Sequence, residues 1–198
     1  MKNLIFATSI LLISFLSLAY TGGISAQQRS IYAGQEKREI KSLSETDIEQ
    51  LKSGKGWGLA KAAELNGVPG PVHLIEMKDK IGLSKVQLGQ IEKLYFDMKN
   101  KAIPLGIQLI DLEKELNIAF AGNDIDEKSL DEQLEKIAKV TKELRFVHLA
   151  AHLKTRSVLS AEQVGVYNNL RGYESNDPCA NVPEGHDPEL WKKHNNCK

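Results

Sequence analysis

A seam of apolar residues, spaced alternately three and four positions apart, constrains this chain more than any other feature. The seam follows Ser84 and consists of Leu88, Ile91, Tyr95, Met98, Ala102, Leu105, Leu109, Leu112, Leu116 and Ala119. This spacing places the apolar side chains along one face of a long helix. Pro104 lies within the pattern, which continues beyond it, so we expect the proline to kink the helix rather than end it.

A second helical pattern returns after a short turn. Asp124 or Asp126 can cap the helix that follows this turn. The inner face of the return helix is formed by Leu130, Leu134, Ile137, Leu144, His148 and Ala151. Because no segment alternates as a strand does, we predict an all-α fold, a long antiparallel helical hairpin with short flanking helices. A lone hairpin leaves apolar surface uncovered, so we also predict a dimer.

Two copies of the phrase Leu-Ser-x-x-Gln flank the hairpin, at Leu83–Gln87 and Leu159–Gln163. Each copy predicts a helix start. The serine side chain can accept a hydrogen bond from a backbone amide of the first turn, while the glutamine side chain reaches back to the serine amide. The helical pattern between the copies turns once, so both starts are expected near the same end of the hairpin.

Residues 1–26 have the pattern of an export signal. Lys2 precedes an apolar stretch, and small residues end at Ala26. The apolar run is short for a membrane span, so we predict a secretory signal peptide that is cleaved near Ala26; a retained anchor is the alternative. After the signal, composition divides the chain into a polar arm with short helices at 27–70, a helical domain at 71–173 and a tail at 174–198.

Charge and motifs narrow the classes of function. The chain has 26 basic and 26 acidic residues and a formal net charge of zero, which argues against nucleic acid as the main partner. The glycines at 54, 56 and 58 are not followed by the Gly-Lys-Ser/Thr ending of a phosphate-binding loop, and no nucleophile motif is present. We therefore predict that the protein is not an enzyme.

The export signal, the helical pattern and the paired phrases together resemble the periplasmic Spy/CpxP superfamily, whose repeats have the form Leu-Thr-x-x-Gln. Serine replaces the commoner threonine in both copies, and the two residues are equivalent as caps. The resemblance spans about 71–173. It implies a periplasmic helical hairpin, usually a dimer, that acts as an ATP-independent chaperone, an envelope-stress regulator or a metal-binding sensor. The ZraP-like and CnrX-like proteins form its heavy-metal-binding branch.

Histidines at helical spacing are the leading candidates for a binding site. His148 and His152 lie four positions apart on the return helix, so both imidazoles can reach one ion. His73, Glu76 and Met77 share one face of the first helix of the domain, which we predict at Pro71–Ile81. Imidazole and carboxylate ligands suit zinc, nickel or cobalt, and Met77 would favour copper. The CnrX-like resemblance implies a similar sharing of ligands between the first and third helices.

A structural interpretation of these histidines stays open beside the metal-binding one. In it, His148 is a hydrogen-bonded core histidine, His152 a solvated neighbour and His73 a surface residue. The tail is also ambiguous, because Cys179 and Cys197 predict a disulfide in an exported protein. If the thiols stay reduced, they form a candidate metal site with His186 and His194, or remain unpaired or paired between molecules.

The leading functional hypothesis is a protein that senses or buffers a divalent transition metal, in heavy-metal resistance or an envelope stress response. The alternative is a chaperone that holds unfolded envelope proteins on the face of a helical dimer. A third hypothesis is a regulatory module that binds a membrane sensor protein. Trp57 and Trp191 are interpreted as apolar anchors for the arm and the tail, or as part of a client-binding surface.

Overall fold

The computed structural model describes residues 29–173, 179, 182 and 185–197. The predicted signal peptide at 1–26 lies outside the described residues. Backbone contacts divide the chain into two units, Met1–Ala33 and Gly34–Lys198. In the described part of the first unit, the amide of Ala33 donates to the carbonyl of Ser30 at 3.0 Å.

The described part of the second unit is all-helical and contains no strand. After a short 3-10 turn at Gln35–Lys37, its helices are α1 (Glu45–Lys52), α2 (Lys61–Glu64), α3 (Pro71–Glu76), α4 (Lys78–Ile81), α5 (Lys85–Ala121), α6 (Glu127–Arg156), α7 (Ala161–Leu170) and α8 (Pro188–His194). None of the helices in the described ranges is both long enough and apolar enough to span a membrane.

Helices α5 and α6 pack along each other and form the body of the fold. Helix α5 continues through Pro104 as the apolar seam predicts. Of the two aspartates expected to cap the return helix, Asp126 is the one that does so, and its side chain accepts from the Ser129 amide at 2.8 Å. The predicted all-α class is therefore confirmed for the described residues.

The polar arm contributes to the first of two apolar cores. Ile40, Leu43 and Leu51 are buried against α5 and α6 together with Ala102, Leu109, Ile110, Val140 and Leu144. The backbone of α1 approaches α5 so closely at Gly106 that a side-chain carbon there would lie 2.4 Å from the Leu51 carbonyl oxygen. Only glycine fits this contact, which holds the arm against the long helices.

The second core joins the short helices to the base of α5. Leu74, Ile81, Ile91, Leu159, Val164 and Tyr167 form it, and Tyr167 is fully buried. The predicted single helix over Pro71–Ile81 is wrong in one respect, because the chain leaves helical geometry at Met77 (φ −106°, ψ 14°), which ends α3 and precedes α4. The Met77 side chain packs against this second core.

Both predicted capping boxes form. The Ser84 side chain accepts from the Gln87 amide at 3.2 Å, and the Ser84 amide donates to Gln87 Oε1 at 3.0 Å. The second copy repeats the pattern, since Ser160 Oγ accepts from the Gln163 amide at 3.1 Å and the Ser160 amide donates to Gln163 Oε1 at 3.1 Å. The starts of α5 and α7 are thereby fixed.

The two capping glutamines also bind each other. Gln87 Nε2 donates to Gln163 Oε1 at 2.8 Å and to the Val158 carbonyl at 3.0 Å. Gln163 Nε2 donates to Gln87 Oε1 at 3.2 Å and to the Gly82 carbonyl at 3.2 Å. Each glutamine thus reaches the carbonyl two positions before the serine of the other copy. This glutamine pair joins the two repeats, and both helix starts lie side by side as predicted.

Candidate functional site

A half-open cavity of about 480 Å³ lies between the glycine-containing loop that precedes α2, helix α3, the first half of α5 and the last third of α6. Its lining combines glycines, lysines, aromatic side chains and all three histidines of the domain: Ser53, Gly54, Lys55, Gly56, Trp57, Gly58, Ala60, Lys61, Glu64, Gly70, Pro71, Val72, His73, Glu76, Tyr95, Met98, Lys99, His148 and His152. Four of the five predicted metal ligands therefore line one cavity.

The two histidines of α6, which we call the histidine pair, form the buried wall of the cavity. His148 is 3 % exposed and His152 is 8 % exposed, so His152 is not the solvated neighbour of the structural interpretation. Their spacing of one helical turn brings the rings to the same face of α6. Burial of two imidazoles on one wall is unusual for a surface helix and singles this region out.

The ring nitrogens of the pair differ in their partners. His152 Nδ1 is 2.7 Å from the Val68 carbonyl oxygen, an acceptor, so this nitrogen carries the ring proton in the neutral imidazole and Nε2 keeps its lone pair. His148 Nε2 is buried and has no hydrogen-bond partner among the described residues. A carbonyl that fixes one nitrogen of a histidine while the other stays free is the arrangement commonly found around metal-binding histidines.

Burial also sets the protonation of His148. Desolvation, with a smaller contribution from the neighbouring His152, lowers the pKa of His148 from 6.5 to about 4. His148 is therefore neutral at pH 7, the form in which imidazole donates a lone pair to a metal ion.

Gly70 packs closely against the His152 ring. The backbone of Gly70, just before α3, runs so close to the ring that a side-chain carbon there would lie 2.6 Å from His152 Nε2. Its φ of −90° is open to any residue, so glycine is needed here for room and not for conformation. A methyl group at this position would collide with the face of the His152 ring and force the ring to move.

The other two predicted ligands in the cavity bind each other. His73 Nδ1 lies 2.9 Å from Glu76 Oε2, an i, i+3 contact on α3. Met77, the fifth predicted ligand, is absent from the cavity lining and packs in the second core. No group of three or more His, Cys, Asp or Glu side chains in the described ranges is arranged to hold a metal ion. The histidine pair is thus the centre of the candidate site, and His73 and Glu76 stand at its margin.

Glu64 on α2 is a cavity residue that the sequence analysis missed. Its Oε1 accepts from Tyr167 at 2.5 Å, from Tyr173 at 2.8 Å and from Arg171 at 3.2 Å. Burial alone would raise the pKa of Glu64, but the two tyrosine hydrogen bonds and the charge of Arg171 outweigh burial and hold it below the usual value.

Glu64 also borders the histidine pair, since its Oε2 lies 4.0 Å from His152 Nδ1. The carboxylate therefore links the wall of the cavity to the second core. Glu64 and Tyr167 are 103 positions apart. No sequence pattern relates residues at that separation, so the sequence could not have predicted this contact.

The glycine-containing loop shapes the opposite side of the cavity. Trp57 adopts a left-handed backbone conformation (φ 43°), which is unfavourable for a residue with a side chain. Its side chain packs against the first core, and its Nε1 donates to Asp47 Oδ1 at 2.8 Å. These contacts hold the loop in place, so the anchor interpretation of Trp57 accounts for its position.

The tail does not offer its thiols as ligands. Cys179 and Cys197 form a disulfide. His186 contacts the edge of Trp191 with ring centroids 4.8 Å apart, and His194 Nδ1 lies 3.0 Å from the Leu190 carbonyl oxygen.

Comparison with known proteins adds no relative to these observations. No family model, curated protein or solved structure matches the chain.

Proposed function

We propose that the protein binds a divalent transition metal ion in the cavity and thereby senses or buffers that ion outside the cytoplasm. In this proposal it is an exported, non-enzymatic member of the Spy/CpxP superfamily that acts in heavy-metal resistance or envelope stress. One observation carries the proposal: His148 has a buried ring nitrogen with no hydrogen-bond partner among the residues that the structure describes. It lies beside a second buried histidine whose ring is oriented by the Val68 carbonyl.

The energetics of burial support a binding role for the pair. A buried polar atom without a partner costs about 1–3 kcal/mol, and a hydrophobic residue at position 148 would avoid that cost. An ion that accepts the lone pair of His148 Nε2 offsets the cost when it binds. Nitrogen donors of this kind suit zinc, nickel, cobalt or copper.

Further coordination would come from the margin of the site. His73 and Glu76 line the same cavity. To bind the ion they would give up their contact with each other, and only exposed or half-buried side chains would have to move.

The proposed fold is an antiparallel hairpin of α5 and α6, since a short turn joins these helices. We propose that a second copy of the chain covers part of their exposed apolar surface, which makes the protein a homodimer.

Equilibrium titration of purified protein with zinc, nickel, cobalt and copper tests the proposal. The chain contains five histidines, which allows a matched comparison. His148→Leu/His152→Gln removes the pair while preserving side-chain size, and His186→Ala/His194→Ala removes an equal number of histidines from the tail. We expect the first double variant to lose the high-affinity site and the second to keep it. Equal affinity of the two variants would contradict the proposal.

Exposed apolar side chains favour a second candidate function, the holding of unfolded envelope proteins. Phe96 on α5 and Phe146 and Leu153 on α6 are 61 %, 68 % and 68 % exposed. Large exposed apolar groups are typical of protein-binding surfaces. If this is the function, metal-free protein suppresses aggregation of a denatured client, Phe96→Ser/Phe146→Ser reduces the suppression, and His148→Leu/His152→Gln leaves it unchanged.

A further inference from the structure

The cavity is much larger than a site for a bare ion. Its volume of about 480 Å³ falls within the range of roughly 300–1,000 Å³ in which proteins bind small organic molecules. Trp57, Tyr95 and Met98 contribute apolar lining, and the buried histidine pair forms part of the wall. The cavity thus has space and contacts for an organic molecule beside an ion.

The acidic and basic side chains that line the cavity differ in whether they have partners. Both carboxylates have partners, since Glu64 accepts from Tyr167, Tyr173 and Arg171 and Glu76 contacts His73. Of the three lysines, Lys55 pairs with Glu49 at 3.3 Å.

Lys61 and Lys99 have no carboxylate within ion-pair distance in the described part of the chain. Lys99 Nζ instead lies 5.6 Å from the centre of the Tyr95 ring. The His73–Glu76 contact is an ion pair only when the ring is protonated, so Glu76 counts as one negative charge. Lys61 and Lys99 still leave an excess of one positive charge at the cavity, which favours an anionic guest.

We propose that the metal enters this cavity as its complex with a small polycarboxylate, such as a hydroxycarboxylate, and that Lys61 and Lys99 pair with the carboxylates of the complex. The inference rests on the proposed metal function and names the form in which the ion is bound. Nitrogen atoms of the histidine pair displace water from the metal, and the bonds between metal and polycarboxylate stay in place. The protein then needs only the few ligands that the pair provides.

Calorimetric titration with nickel complexes of opposite charge tests this inference. The probes are nickel–citrate, which is anionic, nickel–diethylenetriamine, which is cationic and also leaves coordination positions open, nickel alone and citrate alone. We expect nickel–citrate to bind at least tenfold more tightly than either nickel–diethylenetriamine or nickel alone. Lys61→Gln/Lys99→Gln should abolish this preference, whereas Lys80→Gln/Lys85→Gln, which changes exposed lysines outside the cavity lining, should not.

The outcomes separate the inference from the proposed function. If nickel alone and nickel–citrate bind equally well and both need the histidine pair, the polycarboxylate inference is overturned and the metal function stands. If citrate alone binds as tightly as nickel–citrate, the inference is overturned because the metal is not required. If no nickel complex binds more tightly to the wild type than to His148→Leu/His152→Gln, the metal function itself fails.

Discussion

The glutamine pair and the histidine pair both place polar side chains between packed helices, but they differ in how completely those groups are satisfied. Gln87 and Gln163 use both amide hydrogens and the carbonyl oxygen of each side chain. In the histidine pair, by contrast, His148 Nε2 is buried and has no partner within the described part of the chain. A fully satisfied polar contact stabilises and orients the elements it joins, whereas an unsatisfied one costs stability.

In the proposed function, this difference separates a structural contact from a binding site. The glutamine pair fixes the relative position of α5 and α7 and leaves no donor or acceptor for a ligand. In the histidine pair, His152 binds the Val68 carbonyl, and His148 Nε2 has no hydrogen-bond partner among the described residues. Four experiments test whether the two pairs differ in this way, and they are given from the largest to the smallest expected change in stability or affinity.

The largest expected effect is a loss of stability at acid pH that depends on His148. The pKa of His148 is about 4 in the folded chain and 6.5 as its ordinary value. Between these values the unfolded chain binds a proton that the folded chain does not, so stability falls as pH falls from about 6.5 to about 4. The full contribution is about 3 kcal/mol.

Urea unfolding of metal-free protein at several pH values measures this effect. Carboxylates also contribute at acid pH, so the informative quantity is the difference between wild type and His148→Leu. We expect that difference to grow as pH falls through the stated window. A constant difference would show that His148 is protonated as readily in the folded chain as in the unfolded one.

A smaller loss is expected when the glutamine pair is broken. Gln87→Leu removes two donors and one acceptor, at a cost of about 2 kcal/mol. The Ser84 amide, the Val158 carbonyl and one amide hydrogen of Gln163 lose their partner, whereas Gln163 keeps its contacts with the Ser160 amide and the Gly82 carbonyl. Gln90→Leu, on an exposed position of the same helix, is the matched control and should change stability little. Similar unfolding midpoints for the two variants would mean that the paired amides are not a structural contact.

Gly70→Ala tests the space beside His152 while both histidines remain. Because the added methyl group would lie 2.6 Å from His152 Nε2, we expect nickel affinity to fall at least tenfold. Gly165→Ala is the control, since nothing lies within 4 Å of a side-chain carbon at that position. Unchanged affinity in a folded Gly70→Ala variant would place the metal away from His152.

The smallest expected effect is an increase in the stability of the metal-free protein. His148→Leu removes a buried atom without a partner and keeps the volume nearly constant, so the free energy of unfolding at pH 7 should rise by about 1 kcal/mol in the absence of metal. Thermal unfolding followed by circular dichroism measures it. A marked loss of stability would assign His148 a structural role like that of the glutamine pair.

Local signals in the sequence predicted local structure well. Serine and glutamine at capping spacing gave helix starts at Ser84 and Ser160, because both partners of a capping box lie within one turn. The sequence did not predict that Gln87 and Gln163 bind each other, since this contact joins residues 76 positions apart. The sequence also did not predict the break between α3 and α4 at Met77. The Met77 side chain packs against the second core at this point.

The candidate site was predicted in part for the same reason. Helical spacing placed His148 and His152 on one face, and the expected approach of α3 to α6 brought His73 and Glu76 to the same cavity. Glu64 and Gly70 are the residues next to His152 that the sequence did not predict. They lie in segments whose positions depend on tertiary packing. Their contacts with His152 leave no periodic pattern in the sequence.

The central claim is that the histidine pair binds metal and the glutamine pair does not, and zinc-dependent stabilisation tests it most directly. The free energy of unfolding is measured with and without zinc at about 100 times the dissociation constant, where binding to the folded chain adds about 2.7 kcal/mol. We predict this gain in wild type and in Gln87→Leu, although the latter starts less stable, and no gain in His148→Leu/His152→Gln. An equal gain in the histidine variant would contradict the claim.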